Sequence, residues 1–234
     1  MFQKACELGN PISCYNFGAL LYEGLGGARN LTDARSVFDR ACSGQHAAGC
    51  ANLGIMLHLG EGGERDGAEA ILALNAACEL GDPQGCYNLG YIYANGEVGV
   101  RQYDAARRSF NRACSGGNAA GCTNLGVLLT DGEGGPQNDA KARSMFENGC
   151  EGGDPNGCYK LGFSYLFGRG GEEEPTKARD AFHKACSAGD GSGCRALGQM
   201  FEQGIGGQTD GAAADALYQR ACTLGDAKGC AISG

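Results

Sequence analysis

The sequence predicts an all-α solenoid of 36-residue helix pairs, and three kinds of periodic position support this fold class. Fourteen cysteines form seven Cys-x7-Cys pairs, and the first cysteines of successive pairs are always 36 residues apart. Glycine recurs with the same period in three columns, and large apolar residues do so in another. Positions that repeat without slippage mark one structural unit copied along the chain.

Two of these columns predict how the helices pack. Large apolar residues that we expect to point into the core stand at Phe38, Leu74, Phe110, Phe146, Phe182 and Tyr218. One of the glycine columns is Gly18, Gly54, Gly90, Gly126, Gly162 and Gly198. Glycine inside a helix costs helix propensity, so we interpret this column as places where neighbouring helices approach closely.

The unit that begins at Asp82 shows why each repeat should contain two helices. Asp82 followed by Pro83 is typical of an N-cap and first helical position, and predicts a helix A that ends near Asn95. A Gly-rich loop then leads into a helix B over residues 103–115. The Gly-rich stretches at 60–63 and 132–135 are interpreted as such turns, because no Lys-Ser or Lys-Thr follows at phosphate-loop spacing.

The predicted organisation is a single repeat array over residues 1–234. Complete repeats are placed at 13–48, 49–84, 85–120, 121–156, 157–192 and 193–228, with partial repeats at 1–12 and 229–234. The first residues resemble the end of a helix B, and no signal peptide is visible. Neither end has the polar cap that solenoids need, which would fit a fragment of a longer exported protein.

Each Cys-x7-Cys pair spans the turn from helix B into the next helix A, which predicts local disulfides. Residues eight apart in an unbroken helix are about 12 Å apart, beyond the ~7 Å Cα limit for a disulfide, but a turn brings them together. The predicted bonds are Cys6–Cys14, Cys42–Cys50, Cys78–Cys86, Cys114–Cys122, Cys150–Cys158, Cys186–Cys194 and Cys222–Cys230.

Three other roles for the cysteines were weighed against disulfides. Zinc sites favour shorter Cys-Cys spacings, and redox catalysis favours Cys-x-x-Cys, which is absent. Free buried thiols in a cytosolic protein remain an alternative. Disulfides imply an oxidising compartment, and we therefore expect a periplasmic or secreted protein, or alternatively one of the mitochondrial intermembrane space.

The charge excludes some partners. The net charge is −8, and the lysines and arginines form no run, so nucleic-acid binding is not expected. No stretch of 18 apolar residues occurs, so no membrane span is predicted.

The repeats resemble those of a known protein family. The segments ACELGDPQGCYNLGYIYANGE and ACSGGNAAGCTNLGVLLTDGEGG resemble Sel1-like repeats, and the Cys-x7-Cys variety resembles the cysteine-rich Hcp proteins of Helicobacter. The resemblance implies a right-handed α/α superhelix related to tetratricopeptide arrays, with helix A on the concave side. It also implies an adaptor that binds proteins, while some Hcp relatives are described as weak penicillin-binding proteins or β-lactamases.

No catalytic residue, metal site or cofactor is predicted. Ser-x-x-Lys, which a serine β-lactamase would be expected to contain, is absent. The three histidines, His46, His58 and His183, have no matched set of metal ligands and are interpreted as surface or packing residues. The predicted function is therefore a scaffold for a protein or extended peptide. The alternative, from the resemblance alone, is binding or hydrolysis of a β-lactam or peptidoglycan fragment.

Two columns on helix A are candidate binding residues. One lies two positions after each second cysteine and contains Asn16, Asn52, Asn88 and Asn124, followed by Lys160 and Ala196. Its amides could bind an extended peptide backbone or, alternatively, could bond a neighbouring helix. The other contains Tyr15, Tyr87 and Tyr159 in alternate repeats. These are aromatic anchors or, alternatively, the mark of growth by duplication of a two-repeat unit.

Overall fold

The structure is a computed structural model that describes residues 1–233, and the regular secondary structure in this range is entirely α-helical. The helices are α1 Phe2–Glu7, α2 Pro11–Glu23, α3 Leu31–Ser43, α4 Ala47–Leu59, α5 Gly67–Glu79, α6 Pro83–Asn95, α7 Tyr103–Ser115, α8 Ala119–Asp131, α9 Asp139–Glu151, α10 Pro155–Leu166, α11 Pro175–Ser187, α12 Gly191–Gln203, α13 Gly211–Thr223 and α14 Ala227–Ser233. Even-numbered helices are the predicted A helices and odd-numbered ones the B helices. The predicted all-α class of repeated helix pairs is confirmed.

The chain forms two compact units, residues 1–116 and 117–234. In the first unit, each A helix packs on the B helix that follows it, and α4 also contacts α2 and α6. The second unit repeats this arrangement, with α10 in contact with α8 and α12. Neighbouring A helices therefore form one face of each unit, which we call the A face, and B helices form the B face.

Side-chain caps define where the A helices begin. The carboxylate of Asp82 accepts a hydrogen bond from the backbone N–H of Gly85 at 2.6 Å, which satisfies one of the free N–H groups at the start of α6. His46 replaces Asp or Asn in the equivalent turn and accepts from the N–H of Gly49 through Nδ1, at 3.2 Å. The preceding residue, Gln45, has φ 60°, a left-handed conformation held by glycine in the other turns of this type.

The central contact within each repeat is an aromatic or aliphatic side chain lying on a glycine of helix A. A Cβ added to Gly90 would lie 2.7 Å from the ring of Phe110, and one added to Gly162 would lie 2.5 Å from the ring of Phe182. Both rings are at most 2% exposed. The missing side chain is thus replaced by the ring, which explains why the two columns share one period and confirms the expected close approach.

The local disulfides of the predicted fold class are present in both units. Six pairs are bonded, with Cα–Cα distances between 4.3 and 4.5 Å: Cys6–Cys14, Cys42–Cys50, Cys78–Cys86, Cys150–Cys158, Cys186–Cys194 and Cys222–Cys230. No cysteine in the described part of the chain is a free thiol. The bond between Cys114 and Cys122 remains a prediction, because the two residues belong to different units.

The Gly-rich loop of one repeat rests on the beginning of helix B of the preceding repeat. Gly62 has φ 76°, and a Cβ there would overlap the backbone carbonyl of Leu31 at the start of α3. The neighbouring Gly63 leaves room for the guanidinium of Arg35, which donates to the carbonyl of Glu64 at 2.8 Å. These glycines therefore serve the contact between repeats as well as the turn itself.

The same contact between loop and helix recurs in the second unit. Arg143 donates to the carbonyl of Glu172 at 3.1 Å, and Arg179 donates to that of Gln208 at 3.2 Å. A Cβ added to Gly170 would overlap the carbonyl of Asp139, just as one at the equivalent loop position of the first unit overlaps the preceding helix. Arginine on helix B is thus the side chain that holds the following loop.

A departure from the repeat pattern at Gly149 has a local cause. Other repeats have alanine at this position, but here the facing residue is Thr123, which is buried and donates from its hydroxyl to the carbonyl of Ala119 at 3.3 Å. A Cβ added to Gly149 would overlap that hydroxyl oxygen. The extra atoms of the threonine therefore occupy the space that the alanine methyl fills elsewhere.

We predict that Gly162→Ala destabilises the protein by about 1–3 kcal/mol, because the added methyl must displace the ring of Phe182. Gly211→Ala is the matched control, since nothing lies within 4 Å of its Cβ position at the start of α13. It should be neutral or slightly stabilising. Urea unfolding followed by circular dichroism measures both, and equal effects would contradict the proposed ring contact.

We predict strong coupling between Thr123 and Gly149. Gly149→Ala alone should cost about 1–3 kcal/mol, because the methyl and the threonine hydroxyl compete for one space. Combining it with Thr123→Ala should recover most of that loss, because Ala51 already packs with Ala77 at the equivalent pair of positions. A double-mutant cycle in urea measures the coupling, which should reach about 1 kcal/mol or more. Additive effects on the free energy of unfolding would contradict the proposed competition of the two side chains for one space.

Candidate functional site

The A face of the first unit contains a groove between helices α2 and α4. We call it the first A groove; its volume is about 240 Å³. It is lined by Tyr15, Ala19, Tyr22, Glu23, Phe38, Asn52, Ile55 and Met56. Helices α2 and α4 supply the walls, and Phe38 of α3 supplies the floor.

The second unit has a groove of about 300 Å³ between α8 and α10, which we call the second A groove. It is lined by Val127, Thr130, Asp131, Asp139, Ala142, Phe146, Tyr159, Lys160, Phe163, Ser164 and Arg169. Seven of these stand 108 residues, or three repeats, after a residue of the first A groove; examples are Phe146 after Phe38 and Lys160 after Asn52. The repeat architecture therefore produces the same recess in both units.

The predicted asparagine column lies at the A face but not in one environment. Asn52 lines the first A groove. Asn88 accepts a hydrogen bond from Gln84 Nε2 at 3.1 Å through Oδ1, while its Nδ2 is shielded from solvent and has no hydrogen-bond partner. Asn16 and Asn124 are half-buried outside the residues that line the two grooves. The column is therefore partly a packing feature.

The predicted tyrosine column combines packing with groove formation. Each ring packs on the aromatic residue of the next B helix: Tyr15 lies 6.1 Å from Phe38, and Tyr87 lies 5.9 Å from Phe110. Tyr15 also stacks on His46 at 4.6 Å. Tyr15 lines the first A groove and Tyr159 the second. These tyrosines are half-buried, so each presents part of its ring to the A face.

Two carboxylates, Glu23 and Glu61, stand at the first A groove, and Glu61 pairs with Arg29 at 3.7 Å. The Tyr22 hydroxyl donates to Glu61 at 3.0 Å, and the guanidinium of Arg29 lies over the Tyr22 ring at 4.8 Å. Burial and the Glu61 carboxylate together raise the pKa of the Tyr22 hydroxyl, so it stays a neutral donor at physiological pH. Glu23 is an exposed second carboxylate on the same helix.

The second A groove is aromatic and carries two cations. Tyr159, Phe163 and the exposed Phe167 form a row along α10 and its end, with ring centroids 4.9 and 5.8 Å apart. Lys160 and Arg169 line the same groove. Tyr159 was predicted from the sequence as a binding residue, but Phe163 and Phe167 were not. The four-residue spacing of the three residues would have placed them on one helical face.

Two grooves on the B face are also at equivalent positions and serve as comparison surfaces. One lies between α3 and α5 and is lined by Thr32, Arg35, Ser36, Asp39, Leu53, Leu57 and Glu69. The other lies between α9 and α11 and is lined by Glu147, Cys150, Glu151, Leu161, Tyr165, Lys177, Asp180, Ala181 and Lys184. These grooves are bordered by charges of both signs and have fewer aromatic residues.

The histidines have local roles or exposed positions. His58 Nε2 lies 2.6 Å from the carboxylate of Glu97, which repeats the Tyr22–Glu61 contact one repeat later. His183 is exposed on α11. Within residues 1–233, no group of three or more His, Cys, Asp or Glu side chains is placed to hold a metal ion. None of the described helices has both the length and the apolar character needed to cross a bilayer.

The repeat geometry agrees with the result of a comparison with protein-family models. The Sel1 repeat model matches residues 1–10, 11–46, 47–82, 83–118, 119–154, 155–190 and 191–226. The chain belongs to the Sel1-repeat family. Each complete Sel1 repeat begins at the first residue of an A helix, so the family unit is one A helix, its loop and the following B helix. A comparison with curated proteins found no match.

Solved structures with this fold include other Sel1-repeat proteins. The protective antigen c5321 of uropathogenic Escherichia coli is 28% identical, with a TM-score of 0.92. The match covers 99% of this chain but only 50% of that one. A Sel1-repeat protein of Oxalobacter formigenes is 21% identical, with a TM-score of 0.82. This match covers 94% of the present chain and 86% of the Oxalobacter chain. Helicobacter pylori HcpB is 27% identical with a TM-score of 0.46, covering 56% and 97% respectively.

A half-buried ion pair joins two successive repeats in the second unit. Arg195 on α12 donates through Nε to both carboxylate oxygens of Asp226, at 3.0 and 3.2 Å. The backbone N–H of Gly229 also donates to Asp226, at 2.6 Å. Burial of Asp226 opposes its ionisation, but the hydrogen bonds from Gly229 and Arg195 outweigh burial and hold the pKa of the carboxyl below its ordinary value.

We predict that Asp226→Asn removes stability in a pH-dependent way. Because the folded-state pKa is lowered, ionised Asp226 stabilises the protein above the ordinary carboxyl pKa of about 4, and this contribution is lost as the pH falls. The variant should therefore be less stable than wild type near neutral pH and approach it in acid. Urea unfolding across this pH range measures the difference. Asp215→Asn, at an exposed position, is the control, and a pH-independent difference would contradict the prediction.

Proposed function

We propose that the chain is a binding scaffold in which each A groove holds an extended segment of a partner protein. The observation that supports this proposal is the recurrence of an open, aromatic-lined recess at equivalent positions of both units. Sel1-repeat proteins typically act as protein-interaction modules. The proposal also has the A helices on a concave side, as the family resemblance implies, so that a segment contacts neighbouring repeats.

The residues of the grooves suit recognition of a peptide. Tyr15 and Tyr159 are held by packing on the neighbouring aromatic residue, so little side-chain entropy remains to be lost on binding. Large aromatic side chains of this kind often dominate binding energy. Asn52 offers both a donor and an acceptor, which matches the N–H and C=O groups of an extended backbone.

We also propose that the protein works outside the cytoplasm, in the periplasm or as a secreted protein. The described cysteines include no free thiol, which indicates an oxidising compartment. The similar Escherichia coli protein is described as a protective antigen, and a protein at or beyond the cell surface would be accessible to antibodies.

The grooves offer less support for the β-lactam alternative. A serine nucleophile needs an adjacent base, but the Ser164 hydroxyl in the second A groove donates to the backbone carbonyl of Lys160 at 3.1 Å. Ser164 is also 5% exposed, so a substrate would reach it poorly. We therefore retain protein binding as the proposed function.

We predict that peptides selected from a random display library on the wild-type protein lose about tenfold or more in affinity for an Asn52→Ala, Phe163→Ala variant. These substitutions remove an amide from the first A groove and an aromatic wall from the second. Isothermal titration calorimetry with the selected peptides measures the change. Thermal unfolding of each variant confirms that the fold is retained.

The matched control carries Asp39→Ala and Lys184→Ala, one in each B-face groove. This variant should bind the selected peptides as the wild type does. Peptides that lose affinity for the control but keep it for the A-face variant would move the binding surface to the B face and contradict the proposal.

A further inference from the structure

The two A grooves differ in charge at equivalent positions. In the first unit, Glu23, Asn52 and Glu61 stand at or beside the groove. The residues three repeats later are Asp131, Lys160 and Arg169, all of which line the second A groove. One carboxylate is thus kept, the neutral amide becomes an ammonium group, and the other carboxylate becomes a guanidinium group.

The reversal at Arg169 removes a contact that earlier repeats make. Glu61 accepts a hydrogen bond from Tyr22, and Glu97 pairs with His58, so in the first unit this position is occupied in holding the preceding A helix. In the second unit the corresponding partner is Thr130, whose hydroxyl donates to the carbonyl of Gly126 at 3.0 Å. Arg169 therefore does not make the contact with the preceding A helix that Glu61 and Glu97 make.

Lys160 and Arg169 are both free to bind a ligand. Over the described part of the chain, neither has a carboxylate within the 4.0 Å that defines an ion pair. Two carboxylates also line the groove, and Asp139 accepts a hydrogen bond from Gln137 Nε2 at 3.1 Å. Asp131 is exposed at the end of α8. The groove thus offers two unpaired cations at the side formed by α10 and its loop.

An apolar surface lies beside these cations. Phe163 packs edge-on against Tyr159 and against Phe182 at 5.1 Å, so its ring is fixed by the core. Phe167 stacks on Phe163 at 5.8 Å and is 58% exposed. A ligand that binds here can place an apolar side chain on fixed aromatic rings while its anionic groups face Lys160 and Arg169.

We propose, building on the proposed function, that the second A groove selects an acidic segment of a partner protein that carries carboxylate and aromatic side chains on one face, at every second position. In an extended segment, residues at every second position point to the same side, so side chains of both kinds can face the groove together. Its aromatic side chains pack on the α10 ring row, and its carboxylates pair with the two cations. The cation beside the first A groove, Arg29, is already paired with Glu61, so that groove offers no unpaired cation to the same segment and the two grooves differ in the segments they accept.

Synthetic peptides test this assignment on the whole protein. Three short peptides carry phenylalanine and a test residue in turn at every second position, with identical spacer residues between them; the test residue is glutamate, glutamine or lysine. Calorimetry should show that the glutamate peptide binds about tenfold or more tightly than the glutamine peptide, with the lysine peptide weakest. The preference should weaken with added salt, because partly exposed charges are screened.

The decisive variant is Lys160→Asn with Arg169→Glu, which introduces residues found at equivalent positions, so the fold should tolerate it. It should abolish the preference for glutamate over glutamine. Lys184→Asn, which removes a cation from the B-face groove, should leave that preference unchanged.

The outcomes separate this inference from the proposed function. If all three peptides bind equally and Phe163→Ala removes binding, the groove binds peptides but the charge selection is wrong. If none of the three peptides binds even at the highest concentration at which it is soluble, the acidic-segment assignment is overturned. The library selection still tests the first A groove in that case. If the preference persists in the double variant, the cations responsible lie elsewhere.

Discussion

The packing of a large side chain onto a glycine of the preceding helix is the contact on which the rest of each unit depends. It sets how closely helix A and helix B approach, as the rings of Phe110 and Phe182 show at Gly90 and Gly162. A close approach in turn brings the chain back over a short turn, where the cysteines of each bonded pair meet within disulfide distance. It also gives each A groove an aromatic floor, because rings that occupy the space beside the glycine, Phe38 and Phe146, line the grooves.

Much of this fold could be predicted from the sequence because the repeat averages out local ambiguity. The helix limits at Asp82, Pro83 and Asn95 follow from local chemistry, namely an N-cap side chain, a proline at the first position and a terminal glycine. The cysteine spacing fixes the turn between repeats. What could not be predicted is the partner of some recurring side chains: Arg35, Arg143 and Arg179 share the repeat period, but the period does not show that Arg143 reaches the loop at Glu172. An arginine on a helix surface usually indicates solvent, and only the structure shows which loop it reaches.

The candidate site was predicted less completely than the fold, for a physical reason. A residue on the A face both packs against its neighbour and borders a groove, so one position carries two signals. The half-buried Tyr15 and the partly shielded Asn88 illustrate this mixture. Lys160 was visible in the sequence only as a break in an asparagine column. Its importance depends on Arg169 and Phe163, which lie on the same groove but at positions that no column connects.

The contact between each loop and the preceding helix B gives the array a direction. Gly62 rests on the start of α3, and Gly170 rests on the start of α9, so in each case the later repeat leans on the earlier one. A ribosome releases the chain from its amino terminus, and each of these loops therefore emerges after the surface on which it settles has been made. Synthesis and assembly therefore run in the same order, because the helix B that each loop contacts has been synthesised before the loop.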